Sequence, residues 1–234
     1  QPRSGSGPVS TPLSSLQAAF RQAATEVDPQ GTNTGAPDAD CIEAWLTLHS
    51  VRGKLRWLDS AIAAADSLSE RGSSPPGDPA AWLRVACLGW VLRATRGFRQ
   101  LADSCLDRVE DSPAAIPALL RFWRITGLRR VHDRALDCLP KSAAPGDFVG
   151  GTACQAGYLA TARQDLADAA RSAFSVPIQE VPVRHWPTLA TVQGLGAEDF
   201  AEALQDGCLD RASAAERVIA AAALALPALE VEVQ

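Results

Sequence analysis

The sequence predicts an all-α protein. Three observations carry that prediction. Apolar residues recur at helical spacing along most of the chain, capping residues stand where those stretches begin, and Gly or Pro stands where they end. The 234 residues are 47% hydrophobic and 21% charged, which suits a folded core and excludes a disordered chain or a disulfide-dense mini-protein. No apolar run reaches the ~18–20 residues that a membrane-spanning helix needs. The longest is Val218–Leu226.

Residues 1–12 are rich in Ser, Gly and Pro and read as a flexible lead. Leu13–Val27 carries one apolar stripe, and Asp28–Pro37 is a loop. Asp38 caps a helix that runs to Val51 and ends at Gly53; Leu55–Leu68 follows it. After the break at Gly72–Gly77, Asp78-Pro79 opens a helix to about Arg93, with Asp as N-cap and Pro in the first turn. Gly97 precedes a stripe of Phe98, Leu101, Cys105 and Val109. Ser112-Pro113 opens the next helix, which Gly127 ends before Leu128, Val131, Ala135 and Leu139. Pro145–Gly151 reads as a loop and Thr152–Phe174 as one long Ala-rich helix. Val176–Pro187 holds Pro177, Pro182 and Pro187 and reads as extended. Glu198–Gln205 and Ser213–Leu226 are the last helices, and Leu229–Val233 alternates like a short strand.

The result is about ten helices, arranged as a helical-hairpin repeat (α-solenoid-like) or an irregular helical bundle. The expected organisation is a lead at 1–12, a hairpin domain at 13–174, a Pro-rich linker at 175–196, and C-terminal helices with an acidic tail at 197–234.

Three stretches align without gaps: Gly53–Ile62, Gly97–Leu106 and Gly127–Leu136. Each has Asp six residues after the Gly (Asp59, Asp103, Asp133) and follows an apolar helix that starts at Asp38, Asp78 or Ser112. Gly157 continues the series with Tyr158 and Leu166. The unit is a helical hairpin, which buries its apolar face only by stacking on a neighbour. Over roughly residues 38–140 the pattern resembles the tetratricopeptide and pentatricopeptide class of α-hairpin repeats. All three glycines are expected to sit in left-handed turns between paired helices.

The net charge is −5, unevenly spread. Residues 93–134 hold nine Arg against five acids, whereas residues 165–234 hold four Arg against eleven acids. Twenty of the 22 basic residues are Arg, and there is no Met. In the basic segment Trp123 interleaves with Arg121, Arg124, Arg129, Arg130 and Arg134. Arg beside aromatics is what protein hot spots use, and what contacts to single-stranded RNA use. These six residues form the candidate interaction surface.

Catalytic and metal chemistry finds no foothold in the sequence. His49, His132 and His185 lie far from metal-ligand spacing with any Cys, and there is no nucleophile elbow or phosphate-binding loop. Cys154 looks the most accessible cysteine, and His185 reads as a surface residue of a loop. The six cysteines are too widely spaced for a metal motif and read as small buried hydrophobes. That reading favours a reducing intracellular compartment, mitochondrial or plastid if a targeting peptide was removed ahead of Gln1.

The expected function is a non-catalytic scaffold or accessory subunit that makes protein–protein contacts in a larger assembly, with no cofactor, metal or membrane span. An RNA-binding helical repeat of an organelle or ribonucleoprotein is the alternative, and an all-α enzyme with a pocket between helices is a third.

Overall fold

The computed structural model describes residues 12–29, 37–71, 75–197, 199–200 and 208–229. Among these there are eleven α-helices, four 3₁₀ turns and no strand, so the protein is all-α. The strand expected at Leu229–Val233 and the helix expected at Glu198–Gln205 fall largely outside the described residues.

Helix α1 (Pro12–Glu26) is followed by four hairpins. These are α2 (Ala39–Arg52) with α3 (Leu55–Glu70), α4 (Pro79–Leu92) with α5 (Arg96–Leu106), α6 (Ile116–Thr126) with α7 (Arg129–Asp137), and α8 (Phe148–Thr161) with α9 (Gln164–Ala173). Two or three residues join the partners of each pair, which makes them antiparallel. The first helices form a layer in which α2 packs on α4, α4 on α6 and α6 on α8; α3 packs on α5 in the second layer. Arg84 in the middle of α4 reaches Asp40 and Glu43 near the start of α2, and Arg124 near the end of α6 reaches the Leu159 carbonyl near the end of α8, so α6 and α8 run the same way. The turns within the hairpins are together called the tip edge and their open ends the base edge; the second turn packs against the end of α3, where Ser69 donates to the Gly97 carbonyl.

The aligned stretches occupy equivalent places on the second helices. The fourth residue after each Gly is buried (Trp57, Leu101, Val131), the Asp is exposed, and the eighth residue is fully buried (Ala61, Cys105, Ala135). Gly53 and Gly127 take φ of 66° and 69° and end α2 and α6, as expected. Gly97 does not: it lies in the first turn of α5 with ordinary φ. It is Gly because a Cβ there would run into the side chain of Asp66 on α3. The α4–α5 turn passes through extended Arg93 instead, and α5 begins about one turn earlier relative to its Gly.

The expected single helix over Thr152–Phe174 is a hairpin. It starts earlier, inside the expected loop, with Asp147 as N-cap. It breaks at Ala162, whose φ of 58° is left-handed, so that Ala162 and not Gly157 is the fourth turn. Gly157 lies inside α8, pressed between Leu139 and Leu166. The expected extended stretch 176–187 is two single 3₁₀ turns, Ile178–Glu180 and Val183–His185, with extended backbone at Pro177, Val181 and Pro182. Helix α10 (Trp186–Gln193) already begins at its end.

The last helix, α11 (Ala214–Leu229), packs on α1 and α2 and also touches the Val183–His185 turn and α10. It so ties the first hairpin to the segment after the last. Ala220, Ala221 and Ala222 are buried and allow close approach of its neighbours. The core is lined by Trp57, Trp82 and Trp186 together with five buried phenylalanines. Trp45, Trp82 and Trp186 each donate their indole N–H to a backbone carbonyl, of Val27, Pro76 and Val181, which offsets the burial of that polar edge.

Candidate interaction surface

The structure divides the six residues of the candidate surface. Trp123 on α6 is half-buried, with its ring 4.4 Å from that of His132 on α7. Arg121 is exposed on α6, and Arg124 donates to the Leu159 carbonyl at 2.9 Å, which joins the third tip to the fourth. Arg129 and Arg130 are exposed in the first turn of α7, where Arg129 faces Asp133 at 3.6 Å. Arg134 points the other way. Its Nε lies 2.6 Å from an Asp111 carboxylate oxygen, and its terminal nitrogens donate to the carbonyls of Leu106 and Val109. It thus satisfies acceptors at the end of α5. Arg124, Arg129 and Arg130 share the tip of the third hairpin, while Arg134 serves the base edge.

That tip is one of four built alike. The first carries Arg52, Lys54 and Arg56, the second Arg93, Arg96 and Arg99, and the fourth Arg163. Over the four ten-residue turn segments (49–58, 90–99, 123–132, 158–167) there are ten basic residues and one acid, Asp165. Each tip also shows solvent one large apolar side chain: Leu55 (63% exposed), Val91 (66%), Leu128 (40%) and Leu159 (56%). Among the described residues the remaining exposed large hydrophobe, Val149, stands at the opposite end of α8.

The base edge has the reverse character. Asp38, Asp78 and Asp147 cap α2, α4 and α8, accepting from the backbone N–H groups of Cys41, of Ala80 and Ala81, and of Gly150. Glu43 is only 7% exposed and pairs with Arg84 Nε at 2.7 Å. Asp40 joins the same guanidinium at 3.3 Å. Burial raises the Asp40 carboxyl pKa, Arg84 opposes that rise, and Glu43, Asp38 and Glu216 add to it. The last helix packs on α2 here, and its Glu216 faces Arg184 of the preceding 3₁₀ turn at 4.0 Å. A cleft of about 320 Å³ lies there, and its charged lining is Glu180, Arg184, Arg211 and Glu216.

Two single-residue expectations are corrected. His185 is not a surface residue: it is half-buried against the Phe148 ring, with Nδ1 3.0 Å from the Thr152 hydroxyl. Burial, then the Arg184 charge, pushes its pKa down to about 4, so the ring is neutral at ordinary pH. Cys154 is fully buried, and burial raises its thiol pKa. Burial also pushes the thiols of Cys41 and Cys87 up, to about 11 and about 12. Cys41, Cys87, Cys105, Cys138 and Cys154 are free thiols.

Among the described residues no three ligand-type side chains converge as a metal site, and no helix is long and apolar enough to cross a membrane. No family model, curated protein or solved structure matches the chain.

The tip edge was hidden from a charge count made along the chain, because its cations recur once per hairpin and not in one block. The signal that would have found it is the sign of charge at each turn between paired helices.

Proposed function

We propose that the protein is a non-catalytic helical scaffold or accessory subunit that makes protein–protein contacts in a larger assembly. The observation that supports this is the exposed apolar side chain at every hairpin tip. Isolated exposed hydrophobes are ordinary, but Leu55, Val91, Leu128 and Leu159 occur once per hairpin, each at or beside its turn. Rimmed by Arg, they have the make-up of an interface: an apolar centre with cations around it. The row of stacked hairpins gives such contacts a rigid base, and it supports a likeness to tetratricopeptide-type scaffolds.

The test is the size of the native particle. In extracts of cells that make the protein, size-exclusion chromatography with light scattering is expected to place it in a complex well above its own 24.6 kDa. Elution as a lone monomer, with no cross-linked partner, sinks the proposal.

A further inference from the structure

We propose that α7 is the contact surface for a second copy of this chain, with the two helices antiparallel about a two-fold axis. The first observation is a missing neighbour. Among the described residues α3 packs on α5 and α9 on α10, whereas α7 packs closely on α6 alone. Its outer stripe of Arg129, Arg130, Asp133 and Asp137 is exposed.

The second observation is the order of charge along that stripe. Helix α7 opens on Arg129 and Arg130 and closes on Asp137, the reverse of what a helix dipole favours. Arg134, the cation of its last turn, is turned away to Asp111 and to the carbonyls of Leu106 and Val109. Arg129 faces Asp133 at 3.6 Å, but Arg130 and Asp137 make no ion pair among the described residues. They stand about two turns apart along a cleft of about 630 Å³ that Asp111, Asp133 and Arg134 also line.

Antiparallel pairing answers both ends. It brings Asp137 of each copy to the start of the other's α7, beside Arg130, where the dipole favours an acid. The two-fold axis repeats the contact, so one helix supplies both halves of it. Asp133 falls beside the axis with its charge answered by Arg129. The exposed Leu128 of one copy comes over the half-buried Cys138 and Leu139 of the other.

The third observation is a precedent inside the molecule. The end of α3 meets the start of α5: Ser69 donates to the Gly97 carbonyl at 3.2 Å, and Asp66 and Glu70 share a cleft with Arg96. Helices α5 and α7 are equivalent second helices and carry the aligned stretches Gly97–Leu106 and Gly127–Leu136. An acidic helix end set on a basic helix start is thus a contact this chain already makes.

The test is sedimentation equilibrium of the purified full chain. At about 0.1 mM chain and 0.05 M salt, a mass approaching twice 24.6 kDa is expected, falling toward one chain at about 0.5 M salt. Arg130→Asp and Asp137→Arg are each expected to weaken self-association about tenfold. Their thermal midpoints hold or rise, because both side chains are exposed and each change suits the dipole. Two rescues are specific to the antiparallel geometry. The two variants mixed in equal amounts are expected to associate with each other, since every Asp then meets an Arg. The double variant with both changes is expected to regain self-association. A monomer at every concentration, single variants that associate as the wild type does, or failure of either rescue overturns the proposal. So does a purified monomer whose complex in cell extract is lost with Arg130→Asp, which assigns α7 to a different protein. The scaffold reading fails separately: an extract that holds this dimer and nothing larger removes the scaffold and leaves the α7 contact standing.

Discussion

The two edges of the hairpin row are built to different rules. At the base edge most local choices favour the fold, although the start of α6 has no side-chain cap. Asp caps three helices, and Glu43 and Arg84 are paired and largely enclosed. At the tip edge Lys54, Leu128 and Arg163 take positions where Asp would stabilise a helix start, and leucines face water. The backbone makes good part of the loss: the N–H groups of Val131 and Leu166 bond to the carbonyls of Leu128 and Arg163 in 3₁₀ fashion. The contrast teaches where stability resides. The base edge and core hold the row, and the tips are free to carry residues chosen for something other than folding.

The sharpest way to break this division is to remove the base edge's enclosed pair. Arg84→Ala leaves Glu43 enclosed without its cation, with Asp40 beside it. Loss of one partner of a buried pair costs 3–5 kcal/mol. Arg84 retains some solvent, so about 2–3 kcal/mol is expected, read as a lower midpoint in urea at unchanged slope. The matching truncation at the tip, Arg130→Ala, is expected to stay within about 0.5 kcal/mol. Equal losses at the two edges would refute the division.

Acid probes the same edge more gently. The neutral His185 ring is held against Thr152 near the start of α8. Its pKa is depressed from 6.5 to about 4 on folding, so the unfolded chain takes up the proton first as pH falls. Stability is therefore full above about pH 6.5 and declines as pH drops toward 4. Discounted for the solvent that reaches the ring, the loss is about 1 kcal/mol. The difference between wild type and His185→Gln isolates it from the carboxylates. That difference is expected to shrink across the window, and a constant difference would assign the ring no role in the acid limb.

What the sequence showed of this arrangement follows from how local each cause is. Asp38 and Asp78-Pro79 announced helix starts because capping is settled within three residues. Gly53 and Gly127 announced turns because left-handed backbone selects Gly there. Gly97 misled because its reason lies on another helix, at Asp66. Ala162 was invisible because no residue type marks that turn, and periodicity runs through it from α8 into α9. Of the candidate surface, Arg124, Arg129 and Arg130 were found together because two adjacent helix ends place them close in sequence. The remaining cations of the edge lie one hairpin away, and only the folded row gathers them. His185 was misplaced because its burial depends on Thr152 and Phe148, more than thirty residues earlier.

A smaller effect separates the capped helix starts from the uncapped ones. Asp78→Ala removes the side chain that accepts from Ala80 and Ala81 and is expected to cost about 1 kcal/mol. For a chain of this size that is about 2–4 °C in the thermal midpoint. A loss below about 0.3 kcal/mol would mean that the base-edge caps contribute no more than the uncapped tips, and the contrast would fail at its simplest point.

The finest test lies among the tips themselves. Gly53, Gly127 and Ala162 all end a first helix in the left-handed region, with φ between 58° and 69°. A Cβ at Gly127 would meet no atom within 4 Å, so Gly127→Ala isolates the backbone penalty from any clash. That penalty is about 1–2 kcal/mol. Part of it is returned because Ala restricts the unfolded chain by about 0.4–1 kcal/mol. The expected net cost is about 0.5–1 kcal/mol. Ala162 already bears the same penalty in the native protein. Ala162→Gly is therefore expected to move stability the other way, by about 0.5 kcal/mol, or 1–2 °C. The two changes should be near mirror images in a thermal melt, because both act on one backbone conformation at an exposed turn. If Ala162→Gly destabilises, Ala162 serves its tip by more than its backbone, and the fourth hairpin is held at its turn by contacts that the other three lack.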